Sequence, residues 1–193
     1  MKAERPTPPP TRHLVVALAE ERPDLLSQTV GLLRRRAFKL EAITTGPSHE
    51  PFIARLTFTL EGSDAEAERL VRELGRLLYV LKAENLTARP TVVRELALIK
   101  VAATAAERAQ VAQLCEVFRG RVVDVGTESV TVEATGDQGK INGLVAMLRP
   151  FEILEIARTG PVALGRADHI LDNDTPPSTW LEGRRERQQR QAS

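Results

Sequence analysis

Cysteine is nearly missing from this chain: 193 residues carry one, Cys115. No disulfide framework can form within one chain, which fits a reducing compartment. That cysteine lies in a helical pattern, AERAQVAQLCEVFRG, and reads as a small core residue. Metal-ligand spacing of Cys and His is also missing. So is charge of one sign. The chain has 27 basic and 26 acidic residues, mixed along its length, for a net +1. That balance leaves no electrostatic footprint for nucleic acid. Aromatics are only 4% of the residues. An RNA-recognition sheet stacks bases on aromatics in its central strands, and the central strands here offer Val, Leu, Ala and Ile. No run approaches the ~20 apolar residues that span a bilayer. MKAERPTPPPTR at the start lacks the apolar stretch of a secretory signal. A cytoplasmic protein with no membrane or nucleic-acid partner is expected.

Catalytic machinery is equally sparse. Neither GxxxxGK[ST] nor GxGxxG occurs, so no phosphate loop is read. The three histidines, His13, His49 and His169, have no partnered Ser or Cys in a recognisable order. No catalytic residue, metal site or cofactor site is assigned. A binding or regulatory module is favoured over an enzyme, which would need a nucleophile or a phosphate cradle.

What is present is a pattern that occurs twice. HLVVALAE (13–20) reads as a strand with a continuous apolar core. PDLLSQTVGLLRRR (23–36) reads as a helix with Leu25, Leu26, Thr29, Val30, Leu32 and Leu33 mainly on one face. Arg34, Arg35 and Arg36 close it where cations suit the helix dipole. KLEAITTG (39–46) and FIARLTFTLEG (52–62) alternate as strands across a Gly/Pro turn. SDAEAERLVRELGRLL (63–78) opens with Ser63 and, three residues on, Glu66, the signature of a capping box. YVLKAENLTA (79–88) is a weaker strand. The order then recurs: strand 94–103, helix 104–120, a hairpin of 121–126 and 129–135, helix 137–150, strand 151–160.

The fold class is therefore α+β: two tandem ferredoxin-like βαββαβ units, each an antiparallel sheet with both helices on one face. They join near Arg89-Pro90. Residues 1–11 are Pro-rich and read as a flexible arm, and 172–193, which hold Trp180, as a disordered tail. A single unit leaves a sheet edge and part of a sheet face uncovered. Pairing with a second copy is the expected remedy, so a dimer is expected.

The strings HLVVALAEERPDLLSQTVGLLRRRAFKLEAIT, RELALIKVAA, EVFRGRVVDVG and KINGLVAMLRPFEILEIARTGPVALGR resemble the small, regulatory subunit of acetolactate synthase (acetohydroxyacid synthase) over roughly residues 12–171. The first half alone resembles an ACT domain, an amino-acid-sensing βαββαβ module. The resemblance implies an ACT domain at 12–89 and a second ferredoxin-like domain at 90–171. It implies a non-catalytic chain that pairs through its ACT domains. Such a chain binds and activates a catalytic subunit using thiamine diphosphate, Mg and FAD, in branched-chain amino acid biosynthesis. It also implies feedback inhibition by valine. A free-standing tandem ACT-type sensor of another partner is the competing reading, against which FRGRVVDVG and ARTGPVALGR speak.

The resemblance places the effector site at Glu21, Asp24, Leu25, Leu26 and Lys39. The family loop reads Glu-Asn-x-Pro-Gly-x-Leu, its glycine admitting the effector's carboxylate to backbone N–H groups. A second asparagine opens the next strand across a dimer interface. Here Glu21, Asp24 and Lys39 replace the asparagine, the glycine and the second asparagine, while Glu20, Pro23 and Leu26 are retained. Asp24 adds a side chain and a negative charge where a carboxylate should approach, and Glu21 adds another. An ion pair of Lys39 with Glu21 or Asp24 would occupy the effector's place. Asp24 also suits a helix start, as second helical residue after Pro23. Valine control is expected to be weakened or lost.

Overall fold

Alternation drives the first sheet. Along the strand Ile53–Gly62, Ala54, Leu56, Phe58 and Leu60 fall on one face and Thr57 and Thr59 on the other. The structure is a computed structural model that describes residues 11–171. Trp180, the tail, and the arm up to residue 10 lie outside the described residues; Thr11 opens the first strand.

The first unit runs β1 (Thr11–Glu20), α1 (Leu25–Arg35), β2 (Leu40–Pro47), β3 (Ile53–Gly62), α2 (Asp64–Leu74) and β4 (Val80–Asn85). Its sheet is antiparallel in the order β2-β3-β1-β4. Val15, Ala17, Phe58, Leu70 and Leu74 are among the residues of its core beneath the two helices. The second unit runs β5 (Thr91–Ala102), α3 (Arg108–Val117), β6 (Arg121–Val125), β7 (Ser129–Gly136), α4 (Gln138–Leu148), a 3-10 turn (Arg149–Phe151), β8 (Ile153–Arg158) and β9 (Val162–Gly165). Its sheet order is β6-β7-β5-β8, again antiparallel. Cys115 is buried in its core with Val111, Ile141 and Leu144. The α+β class with two antiparallel, ferredoxin-like sheets is as the sequence predicts. No helix among the described residues is long and apolar enough to cross a membrane.

Several boundaries move for local reasons. α1 begins at Leu25, leaving Pro23 and Asp24 outside it. Of its predicted stripe, Leu25, Thr29, Leu32 and Leu33 are buried, while Leu26 and Val30 are 44% and 48% exposed. Leu78, the last residue of the helix read over 63–78, is past the helix end and 99% exposed. Pro150 lies in the 3-10 turn and Glu152 adopts φ 54, so β8 starts at Ile153 and not at 151.

β9 is absent from the sequence reading, and it changes the packing. It pairs antiparallel with Thr91–Arg94, the start of β5, of which three residues lie upstream of the predicted start at 94. Together these segments cover the face of the first sheet opposite the helices. Val16 is fully buried there, in a cluster with Leu86 and Ala163, flanked by Leu14, Val93 and Leu171. The Arg55 guanidinium donates to the Ala163 carbonyl at 2.8 Å, and burial pushes its pKa down. The turn into β9 runs through Gly160 at φ 76, where a Cβ would sit 2.9 Å from Thr44 Oγ1 on β2. The open sheet face that made a second copy necessary is thus covered by the chain itself. The outer strands β2 and β4, and β6 and β8, remain as sheet edges.

The capping box is present. Glu66 accepts from the Ser63 N–H at 2.8 Å, and the Glu66 N–H donates to Ser63 Oγ at 3.4 Å. The Ser63 N–H first, and its hydroxyl second, hold the Glu66 carboxyl below the usual range. A carboxyl depressed in the folded state stabilises above its unfolded pKa and loses that contribution as pH falls through the folded value. Ser63→Ala is expected to cost about 1 kcal/mol in urea titrations at neutral pH. Because the backbone bond remains, part of the acid sensitivity survives.

Candidate functional site

The turn from β1 to α1 is fixed at both ends by backbone bonds. The Glu20 N–H donates to the Tyr79 carbonyl at 2.9 Å, and the Glu21 N–H to the Phe52 carbonyl at 2.7 Å. This ties the turn to the starts of β4 and β3. Phe52 sits at φ 64, half-exposed beside it. Leu25 anchors the helix start in the core, and Thr29, one turn on, donates to the Leu25 carbonyl at 2.7 Å.

Asp24 is the residue before the helix, yet its carboxylate does not cap it. Arg22 holds that carboxylate in a bidentate pair, Nε to Oδ1 at 2.5 Å and the second nitrogen to Oδ2 at 3.1 Å. The Gln28 amide donates to Oδ2 as well. The Arg22 guanidinium also lies over the Tyr79 ring, 5.4 Å from its centroid. Hydrogen bonding from Arg22 holds the Asp24 carboxyl below the usual range, and the same bond raises the arginine. The helix start therefore has no side-chain cap, while the adjacent carboxylate is consumed by an internal ion pair.

Glu21, Asp24, Leu25 and Leu26 come together at this turn. Lys39 does not join them. It is exposed, its carbonyl accepts from the Glu61 N–H at 3.1 Å, and its charge acts on Glu66. It lies at the far end of an 11-residue helix, on the order of 16 Å away at 1.5 Å per residue. Within one chain, the cation on Asp24 is Arg22 and not Lys39.

Comparison with known proteins places this geometry. A family model described as small subunit of acetolactate synthase matches residues 94–167. One described as AHAS small subunit-like ACT domain matches residues 16–82. The probable acetolactate synthase small subunit of Methanothermobacter thermautotrophicus is 42% identical over 163 residues, covering 84% of this chain and 97% of that one. The chain belongs to the acetolactate synthase small-subunit family. The small subunit of Mycobacterium bovis is 39% identical over 157 residues, 81% of this chain and 94% of its own. The crystal structure of the small subunit from Thermotoga maritima superposes with a TM-score of 0.76 at 33% identity, covering 82% of this chain and 99% of that one.

Membership makes this a small-subunit chain, with a catalytic large subunit as the implied partner. An ACT domain fits a regulatory role. The family strings have visible local reasons. ARTGPVALGR forms the Gly160 turn and β9, which covers the first sheet. In FRGRVVDVG, a Cβ on Gly120 would sit 2.8 Å from the Glu133 carbonyl and 2.9 Å from Cys115 Sγ. The next residue, Arg121, holds Glu133 through Nε and a terminal nitrogen at 3.0 and 3.1 Å. Sequence reasoning missed Arg22 and Tyr79 at the turn. The available signal was the spacing Arg22-Pro23-Asp24, which sets a cation within reach of a carboxylate two residues on.

Proposed function

We propose that this chain is the non-catalytic partner that binds and activates the catalytic subunit of acetolactate synthase in branched-chain amino acid biosynthesis. Residues 12–89 serve as the effector-binding type of ACT domain and 90–171 as the second domain. The catalytic subunit supplies thiamine diphosphate, Mg and FAD. The work takes place in the cytoplasm. The observation that carries the reading is the likeness of both units, in series, to this one family.

Two copies pair through their ACT domains. In such a pair Lys39 of one chain reaches the turn of the other, since α1 separates the two positions within a chain. Valine, or another branched-chain amino acid, acts at Glu21, Asp24, Leu25, Leu26 and Lys39. Its control is weakened here, because the Arg22–Asp24 pair stands where the effector's carboxylate would approach.

The test is acetolactate formation by the cognate catalytic subunit, with and without this chain, while valine is titrated. Activation with a weak or absent valine response is the expected result. Activation with full valine inhibition would remove the weakened-control part. No activation would overturn the partner role and favour a free-standing sensor.

A further inference from the structure

A cavity of about 130 Å³ lies between the outer face of the first sheet and the second unit. Arg12, Leu14 and Thr59 line it from β1 and β3; Val93, Glu95 and Pro161 line it from the other side. Gln138, the first residue of α4, and His13 also border it. The His13 Nε2 bonds the Gly62 carbonyl at 3.1 Å, and its Nδ1 has no hydrogen-bond partner among the described residues.

The polar atoms of this cavity are unusual. Thr59 is 2% exposed, and its hydroxyl has no hydrogen-bond partner among the described residues. The buried Nε of Arg12 has none either. Buried polar groups almost always find a partner, so two orphans on one cavity wall mark a place for a polar guest. The charges are arranged on opposing walls. Arg12 stands on the first-sheet side, tied through another nitrogen to Glu41. Glu95 stands on the second-unit side, buried and tied to Arg158. Each side thus carries one ion pair, so the site is neutral overall, and the charged groups that line it are the Arg12 guanidinium on one wall and the Glu95 carboxylate on the other.

A simple anion would meet Glu95, and a simple cation would meet Arg12. A zwitterion satisfies both walls. Leu14, Val93 and Pro161 supply an apolar surface for its remainder. The volume corresponds to about four waters at their liquid share of ~30 Å³ each, enough for a short side chain. We infer that this cavity binds an α-amino acid with a short aliphatic side chain. Its carboxylate takes Arg12 Nε and the Thr59 hydroxyl, and its ammonium takes Glu95. The ligand bridges the two units of one chain and ties the position of the first sheet to that of the second unit. This site is separate from the β1–α1 turn: Arg12 is the second residue of β1 and Glu21 follows its end, roughly 30 Å away along an extended strand. The inference does not rest on the proposed activation of a catalytic subunit.

Equilibrium dialysis of the full chain with labelled L-valine and L-leucine tests it. Thr59→Val removes an unpartnered buried hydroxyl at nearly constant shape, so the variant folds, which its melting curve verifies. The expected result is saturable binding that Thr59→Val weakens about tenfold or more. Isovalerate, which lacks the ammonium, and isoamylamine, which lacks the carboxylate, bind at least about tenfold more weakly than leucine. Absence of binding by both amino acids up to about 10 mM would overturn the inference. So would equal binding by Thr59→Val, which would assign the ligand to a place other than this cavity. Isovalerate binding as tightly as leucine would overturn the zwitterion assignment.

Discussion

Val16→Asp is expected to cost at least about 3 kcal/mol of stability and to release β9 from the first sheet. Val16 is fully buried at the centre of the cluster that joins the two units. Its neighbours across the strands are Thr57 on β3 and Glu84 on β4. A carboxylate there meets a second acid directly opposite, and like charges across a strand pair repel. Glu84 is already held by Arg89 at 2.9 Å, so the new charge competes for a cation in use. Burial raises the carboxyl's pKa, so the loss shrinks as pH falls and the group becomes neutral. Urea titration reads the total cost. Hydrogen exchange separates undocking from unfolding: amides of β9 exchange faster in the variant, while those of β3, bonded on both sides within its own sheet, keep most of their protection. Val162→Asp, one position along β9 at an exposed site, is the control and should change stability by less than about 0.5 kcal/mol. Equal exchange in both strands of Val16→Asp would mean that the two units do not separate before unfolding.

That interface is also what the sequence hides best. β3 was legible because its large apolar residues recur at every second position and meet two helical stripes. α2 was legible from Ser63 and Glu66. The second unit followed because the same order recurs. The outer face of the first sheet was not legible, since Thr57 and Thr59 alternate with apolar residues as a solvated face would. Both are buried. What covers them is a four-residue strand and a three-residue extension of β5, too short for periodicity to register. The dimer was expected partly to cover this face. With β9 in place, the sheet edges are the remaining reason for it.

The turn was half-legible for a different reason. Glu21, Asp24, Leu25 and Leu26 are neighbours in sequence, so any fold that keeps the turn keeps them together. Lys39 entered through its place at the next strand, and a helix of 11 residues separates it from the others in space. Arg22 was overlooked because position alone does not say which way a side chain in a turn points. Only the fold brings Tyr79, from the start of β4, under its guanidinium. Leu26 and Val30 show the same limit. Spacing put six residues on the helix stripe, but four suffice to cover the sheet, and the outer two stay half-exposed.

Asp24→Gly is expected to strengthen valine binding at the turn on the order of tenfold and to deepen valine inhibition of the assembled enzyme. Two obstacles leave together: a negative charge beside the incoming carboxylate, and the side chain on the path to the uncapped amides of α1. Arg22 gains freedom as well. Its charge, now spent on Asp24, becomes available to the ligand. The backbone at Asp24 has φ −96 and ψ 2, which any residue adopts, so glycine acts through what it removes and not through conformational freedom. Asp24→Ala separates the two obstacles, deleting the charge while keeping a Cβ. If alanine matches glycine, the charge is the barrier; if only glycine works, the barrier is steric. Acid should not substitute for either variant. Arg22 holds the Asp24 carboxyl below the usual range, so it stays ionised through mildly acidic pH, and the wild-type valine response should stay flat there. Calorimetric titration of valine into the full chain, with the inhibition assay beside it, reads all of these. If neither variant gains affinity, the Arg22–Asp24 pair is no barrier to valine at this turn.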